Sequence, residues 1–235
     1  MISSLAHIHP GAQIGNHVKI DHFAVLEEGV IIGEGTHVMS HAVILKNTVI
    51  GKNNQIFPGA VLGAIPQDLK FDGEETFVQI GDNTTIRECV TVNRGTKDKW
   101  KTIVGNHCLL MAYSHIANDC CLGAHVVIAN SVQLAGHVEI GDHAIIGGMA
   151  AAIQFSKIGA HSYIAGGTEI IKDVPPYIKA GRSPLSYVGV NSIGLQRRGF
   201  SSERINSILE IYRNIYLRGL NITQATEYIE TELPQ

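Results

Sequence analysis

Residues 122–146 read LGAHVVIANSVQLAGHVEIGDHAII, and stepping through them by six lands on Leu122, Ile128, Leu134, Ile140 and Ile146. The same step carried outward in both directions, from Ile8 to Ile170, visits 28 positions, of which 24 are Ile, Leu or Val. Four residues after nearly every aliphatic stands a small or β-branched side chain, as at Ala24, Val30, Cys120, Val126 and Val132. Glycine recurs at an 18-residue spacing, at Gly15, Gly33 and Gly51 and again at Gly105, Gly123, Gly141 and Gly159. A period of six fits neither an amphipathic helix nor an ordinary alternating strand. It fits a parallel β-helix with three short strands per coil, each aliphatic pointing into a narrow triangular core. Gly, Asn, Asp and His would fill the corners, where left-handed backbone angles are needed. The expected class is all-β: about nine coils, a prism roughly 45 Å long at the usual strand spacing.

Asp68, Glu74 and Asp98 break the aliphatic lattice, so the chain is expected to leave the prism over about 63–79 and 93–103. Loops on a rigid scaffold commonly carry function. The repeat ends near residue 172. A connector over 173–200 is marked by Pro175-Pro176. A small α-helical extension over 201–235 follows. Ser201 is placed to cap a helix to about Leu217, with Ile205, Ile208, Leu209, Tyr212, Ile215 and Tyr216 on one face. Asn221, with Gln224 three residues later, starts a second helix to about Leu233.

The composition narrows the function classes. The 235 residues are 45% hydrophobic and 17% charged, with no low-complexity tract, so a disordered chain is excluded. No apolar run is long enough to span a membrane, and residues 1–10 show no secretory pattern. With four Cys, two of them the adjacent Cys120 and Cys121, no disulfide framework is suggested. A cytoplasmic location is expected, with the four Cys packing inward. Residues 171–218 carry +5 inside a chain of −3, which suits an acidic ligand or partner. The acidic balance of the rest argues against nucleic acid. His107, His125, His143 and His161 form an 18-spaced ladder. All four follow Gly at the same corner, so we read them as turn residues rather than metal ligands.

Coil arithmetic assembles one candidate site. Residues 18 apart stack, which puts Asn118, Gly136 and Gln154 in one column and Asp119, His137 and Phe155 in the next.

Several strings are more specific than the period. They include Gly63-Ala-Ile-Pro-Gln-Asp-Leu-Lys70, Asn93-Arg-Gly-Thr96, His115-Ile-Ala-Asn-Asp-Cys120, Leu134-Ala-Gly-His137, Gln154-Phe155, Asp173-Val-Pro-Pro-Tyr177 and Gly189-Val-Asn191 leading to Arg197-Arg-Gly-Phe200. Together they resemble the acyl-carrier-protein–UDP-N-acetylglucosamine O-acyltransferase family that opens lipid A biosynthesis. The resemblance runs from residue 1 to about 230, and the helical end looks shorter than usual for the family. It implies a left-handed β-helix and a homotrimer with sites between prisms. It also implies transfer of a 3-hydroxyacyl group from acyl carrier protein to the sugar 3-hydroxyl, with no cofactor and no metal.

That chemistry needs a base, an oxyanion donor and groups that hold the diphosphate. By resemblance, the base position is Asn118, oriented by Asp119; Asn cannot accept a proton near neutrality. The oxyanion donor is the Gly136 N–H, and His137 belongs to the catalytic group. Substrate contacts fall on Asp68, Lys70, His115, Gln154, Asn191, Arg197 and Arg198, with Gly166 at a position bearing on acyl length. Ile153 stands where the family commonly has His. Three readings remain open: an O-acyltransferase in which His137 or His115 serves as base, an N-acyltransferase acting on an amino sugar, and a non-catalytic binder of nucleotide sugar or acyl carrier protein.

Overall fold

The computed structural model describes residues 1–232; the sequence-based end of the last helix at Leu233 lies outside them. The chain winds as a left-handed parallel β-helix whose three faces are sheets of nine, eight and ten strands. Most strands are two residues long, such as His115–Ile116 and Val127–Ile128. The second residue of each points inward. Leu110, Ile116, Ile128 and Ile146 are fully buried, and each meets its counterpart in the next coil, as Leu110 meets Ile128 and Ile128 meets Ile146. Aliphatics are required because the interior holds nothing but these stacked side chains and the small residues between them.

The corners demand left-handed backbone. Asn47, Asn53, Asn83, Asp119, His107, His125, His143 and His161 all have φ between +54° and +62°. The same conformation is forced on Phe23, Trp100, Tyr113 and Phe155, residues that seldom adopt it. Stacking of each corner on the next supports it: Phe155 lies on His137 with ring centroids 4.5 Å apart. The coils also approach too closely for side chains at some positions. A Cβ on Gly105 would lie 2.4 Å from the Gly123 carbonyl oxygen.

The two excursions are narrower than the sequence boundaries. Val61–Ala64, Phe77–Ile80 and Lys101–Val104 are four-residue strands, so the chain leaves the prism only over 65–76 and 94–100. Across both loops the 18-residue spacing lengthens: Leu62 pairs with Val92, and Val92 with Ile116. The segment 173–200 is more than a connector. Ile178–Gly181 continues one face in parallel beside Tyr163–Ile164, and Ser186–Val190 folds back antiparallel on it. Helix α1 (Ser192–Arg197) follows.

Helix α2 (Ser202–Tyr216) is capped by Ser201, whose hydroxyl accepts the Arg204 N–H, and it buries Ile205, Ile208 and Tyr212. Helix α3 (Ile222–Glu232) opens with a reciprocal capping box between Asn221 and Gln224. No helix is long and apolar enough to cross a membrane among the described residues. Cys108 and Cys120 pack inward, but Cys89 and Cys121 are exposed. Cys89 occupies a left-handed corner, and Cys121 is the outward residue of its strand. Burial pushes the Cys120 thiol up to about 12.

The histidine ladder is a column of nearly parallel rings, with centroids 4.6–4.8 Å apart between successive members. Stacked plates do not converge on one ion, and no cluster of three metal-binding side chains occurs among the described residues. Burial first, then the neighbouring imidazole and Arg198, hold His143 and His161 below the usual imidazole value; Asp142 opposes them. These rings therefore stay neutral in the fold while the unfolded chain takes up protons, so stability is complete above about pH 6.5 and falls below it. We expect the melting temperature to drop by a few degrees between pH 7.5 and 5.5, and less so in His143→Asn. Equal melting curves at both pH values would contradict this.

Candidate active site

The corner that follows strand His115–Ile116 carries the candidate catalytic residues. Asp119 is completely buried. Its carboxylate accepts the Thr96 N–H at 2.9 and 3.1 Å, the Thr96 hydroxyl at 2.6 Å and the Asn118 side-chain N–H at 3.0 Å. Its own N–H donates to the Thr102 hydroxyl. A buried carboxylate needs such donors, and here most of them come from the 94–100 loop, which hangs from Asp119 through Thr96.

One coil on, the His137 N–H donates to the Asn118 carbonyl at 2.9 Å. The His137 ring is 9% exposed, with Phe155 packed on its face. Nε2 lies 3.6 Å from Asp119 Oδ2, and Nδ1 lies 3.3 Å from Asp98 Oδ2. Gly136 sits above Asn118, where a Cβ would come within 3.1 Å of the amide nitrogen. The Gly136 N–H takes no partner among the described residues.

The two loops close over this corner. Asp68 Oδ1 accepts the Lys70 N–H at 2.9 Å, and Glu74 accepts the Lys97 N–H at 3.1 Å, tying loop to loop. Its own backbone N–H first, then those of Asp72 and Lys97, hold the Glu74 carboxyl below its usual range against the opposing effect of burial. The resulting cavity of about 490 Å³ is lined by Asp68, Lys70, Asp98, His137 and Gln154, with Phe155 at its wall. Its mixture of acids, bases and an amide suits a polyhydroxylated ligand.

The remaining predicted residues lie elsewhere on the chain. Asn191 and Arg197 line a second cavity of about 300 Å³ with Lys179 and Tyr163, and the two cavities share no residue. The Asn191 side chain donates to the His161 carbonyl at 2.9 Å. Arg198 turns towards the histidine ladder, where Nη2 donates to the His143 carbonyl at 2.9 Å and Nη1 is buried without a partner among the described residues. Gly166 is exposed at a different corner of the prism. His115 lines neither cavity; it hydrogen-bonds Thr91 at 2.7 Å, and burial lowers its pKa.

Sequence reasoning missed Thr96 as the clamp on Asp119 and Asp98 as the second carboxylate at His137. Asp98 registered only as a gap in the aliphatic lattice. Phe155 was recoverable, because it stands 18 residues after His137 in the same corner column. Of the basic end, Arg213 and Arg218 are engaged by Glu210, Lys179 and Arg197 face this second cavity, and Lys172 lines another beside Asp173 and Pro175.

Comparison with known proteins identifies the lineage. Residues 173–235 match the family described as Udp N-acetylglucosamine O-acyltransferase, Domain 2, and residues 11–46 and 101–136 match the bacterial transferase hexapeptide family. An acyl-[acyl-carrier-protein]–UDP-N-acetylglucosamine O-acyltransferase of Xanthomonas oryzae pv. oryzae is 47% identical over 227 residues, 96% of this chain and 86% of its own length. Its counterpart in Thiobacillus denitrificans is 41% identical over 98% of this chain and 90% of its own. The crystal structure of a UDP-N-acetylglucosamine acyltransferase from Bacteroides fragilis superposes with a TM-score of 0.99 at 50% identity, covering 100% of this chain and 92% of that one. The corresponding structure from Acinetobacter baumannii gives 0.95 at 44%, covering 98% and 90%. The chain therefore belongs to the acyl-[acyl-carrier-protein]–UDP-N-acetylglucosamine O-acyltransferase family.

Proposed function

We propose that this protein moves a 3-hydroxyacyl group from acyl carrier protein to the 3-hydroxyl of UDP-N-acetylglucosamine, at a site completed by a second copy of the chain in a homotrimer. The observation that carries the reading is the division of the candidate residues. Asp68, Lys70, His137 and Gln154 face one cavity, while Asn191 and Arg197 face another with no residue in common. A nucleotide sugar has two chemically distinct ends. The first cavity offers carboxylate, ammonium, imidazole and amide groups for sugar hydroxyls. The second offers Arg197 and Lys179 for a diphosphate. Bringing the first cavity of one copy against the second of its neighbour would seat one ligand across both. Gly136 N–H, without a partner among the described residues, suits the oxyanion that forms when the thioester is attacked. An acidic carrier protein is compatible with the net positive 171–218 segment.

Calorimetry with UDP-N-acetylglucosamine, paired with sedimentation, tests the reading. Arg197→Ala is expected to weaken binding by about 1–3 kcal/mol, the scale of a lost charged hydrogen bond. The unaltered protein is expected to sediment as a trimer. A stable monomer at micromolar concentration, or unchanged affinity in Arg197→Ala, would overturn the shared site.

A further inference from the structure

We infer that His137 is the general base for the acceptor hydroxyl, with Asp119 and Asp98 as positioning residues that bracket its ring; the inference rests on the acyltransfer reading above. The cavity is lined by five other ionisable groups: Asp68, Lys70, Glu74, Lys97 and Asp98. Asp68 is bonded to the Lys70 N–H, and Glu74 to the N–H groups of Lys97 and Asp72. Lys70 and Lys97 are exposed, and an ammonium offers donors but no acceptor. Asp98 is 65% exposed at the rim. Asn118 does not line the cavity, and its amide N–H is directed to Asp119. His137 is the imidazole that faces the cavity, and imidazole is suited to exchanging protons near neutral pH.

The geometry around the ring is that of a held base. Phe155 fixes its plane from one face. Asp119 and Asp98 stand beyond its two nitrogens, at 3.6 and 3.3 Å. The first separation is too long for a hydrogen bond, and Nδ1 is buried with no hydrogen-bond partner among the described residues. The ring is thus flanked by negative charge yet keeps an unoccupied buried nitrogen beside the cavity. Asp119, satisfied by Thr96 and Asn118, cannot drift. Through Thr96 it also anchors the loop that carries Asp98. When the ring gains a proton, both carboxylates stabilise the imidazolium.

The acceptor O–H gives its proton to His137 while its oxygen bonds to the thioester carbonyl carbon. The tetrahedral oxyanion collapses and the carbon–sulfur bond breaks. His137 returns the proton to the departing thiolate, leaving ester, thiol and neutral imidazole.

The test follows thioester loss from 3-hydroxyacyl-acyl carrier protein with UDP-N-acetylglucosamine, using the full chain. His137→Gln should lower kcat by about 10²–10⁴-fold with KM changed by no more than about threefold. Added imidazole should restore about tenfold or more of the rate lost in His137→Gly. Asp98→Asn, on an exposed loop where folding is not at stake, should lower kcat by about tenfold at constant KM, and Asp98→Glu should recover most of it. Turnover by His137→Gln within about fivefold of the unaltered protein, or an Asp98→Asn variant with full kcat, would overturn the inference and leave the acyltransferase standing. No turnover by the unaltered protein would sink both.

Discussion

Asp119→Asn is expected to lower kcat by about 10²–10⁴-fold, the range seen when the carboxylate that orients a catalytic imidazole is neutralised. Asn tolerates the left-handed angle at this corner, φ +60°, so the backbone is left alone and the change is one of charge and acceptor capacity. The carboxylate oxygens now accept from Thr96 N, Thr96 Oγ1 and Asn118 Nδ2. An amide supplies one acceptor and turns two new N–H groups towards those donors. The mismatch costs about 1–3 kcal/mol for each group left unsatisfied. Two effects should therefore appear together: a lower melting temperature as the 94–100 loop loosens, and slow turnover because His137 loses its buried counter-charge. Steady-state kinetics and thermal melts on the same sample check both. Full kcat in Asp119→Asn would show that the imidazole needs no partner.

Ile128→Ala is expected to lose about 2–5 kcal/mol of stability. For a chain of this size that corresponds to a melting temperature lower by roughly 5–20 °C. Ile128 is completely buried. Its neighbours along the face are Leu110 below and Ile146 above. Each face contributes one file of such side chains to the prism interior, and the coil spacing is fixed by the backbone hydrogen bonds of all three faces. The hole left by the missing carbons therefore cannot be filled by collapse. Because each coil touches only the next, the damage should concentrate in the coils around residue 128. Hydrogen exchange should show it there first. A loss below about 1 kcal/mol would mean the stack relaxes more freely than its hydrogen bonding allows.

The period of six made the prism legible because one inward position per strand has no alternative to an aliphatic side chain. The same feature hid what departs from it. Gly63 and Ala64, and Phe77 and Val78, belong to four-residue strands, yet they follow or precede polar breaks at Asp68 and Glu74 and read as loop. After Ile170 the inward positions shift to Ile178 and Ala180, off the six-residue lattice, so the strand that continues the prism was read as connector. The column of Asp119, His137 and Phe155 could be assembled from spacing alone, since corners stack. Thr96 and Asp98 could not, because a loop's path across a corner is set by hydrogen bonds that carry no period. The outward Cys121 was misplaced for a simpler reason: Cys120 and Cys121 are adjacent, and alternation lets only one of them face the core.

The most direct measurement is product formation by the unaltered protein given 3-hydroxyacyl-acyl carrier protein and UDP-N-acetylglucosamine. Free thiol and the acylated sugar nucleotide are followed together. The account predicts one thiol released for each ester formed at the sugar 3-hydroxyl. Absence of ester, with the nucleotide sugar bound or unbound, would contradict it; acylation of an amino-sugar nucleotide in its place would assign the site to amide formation.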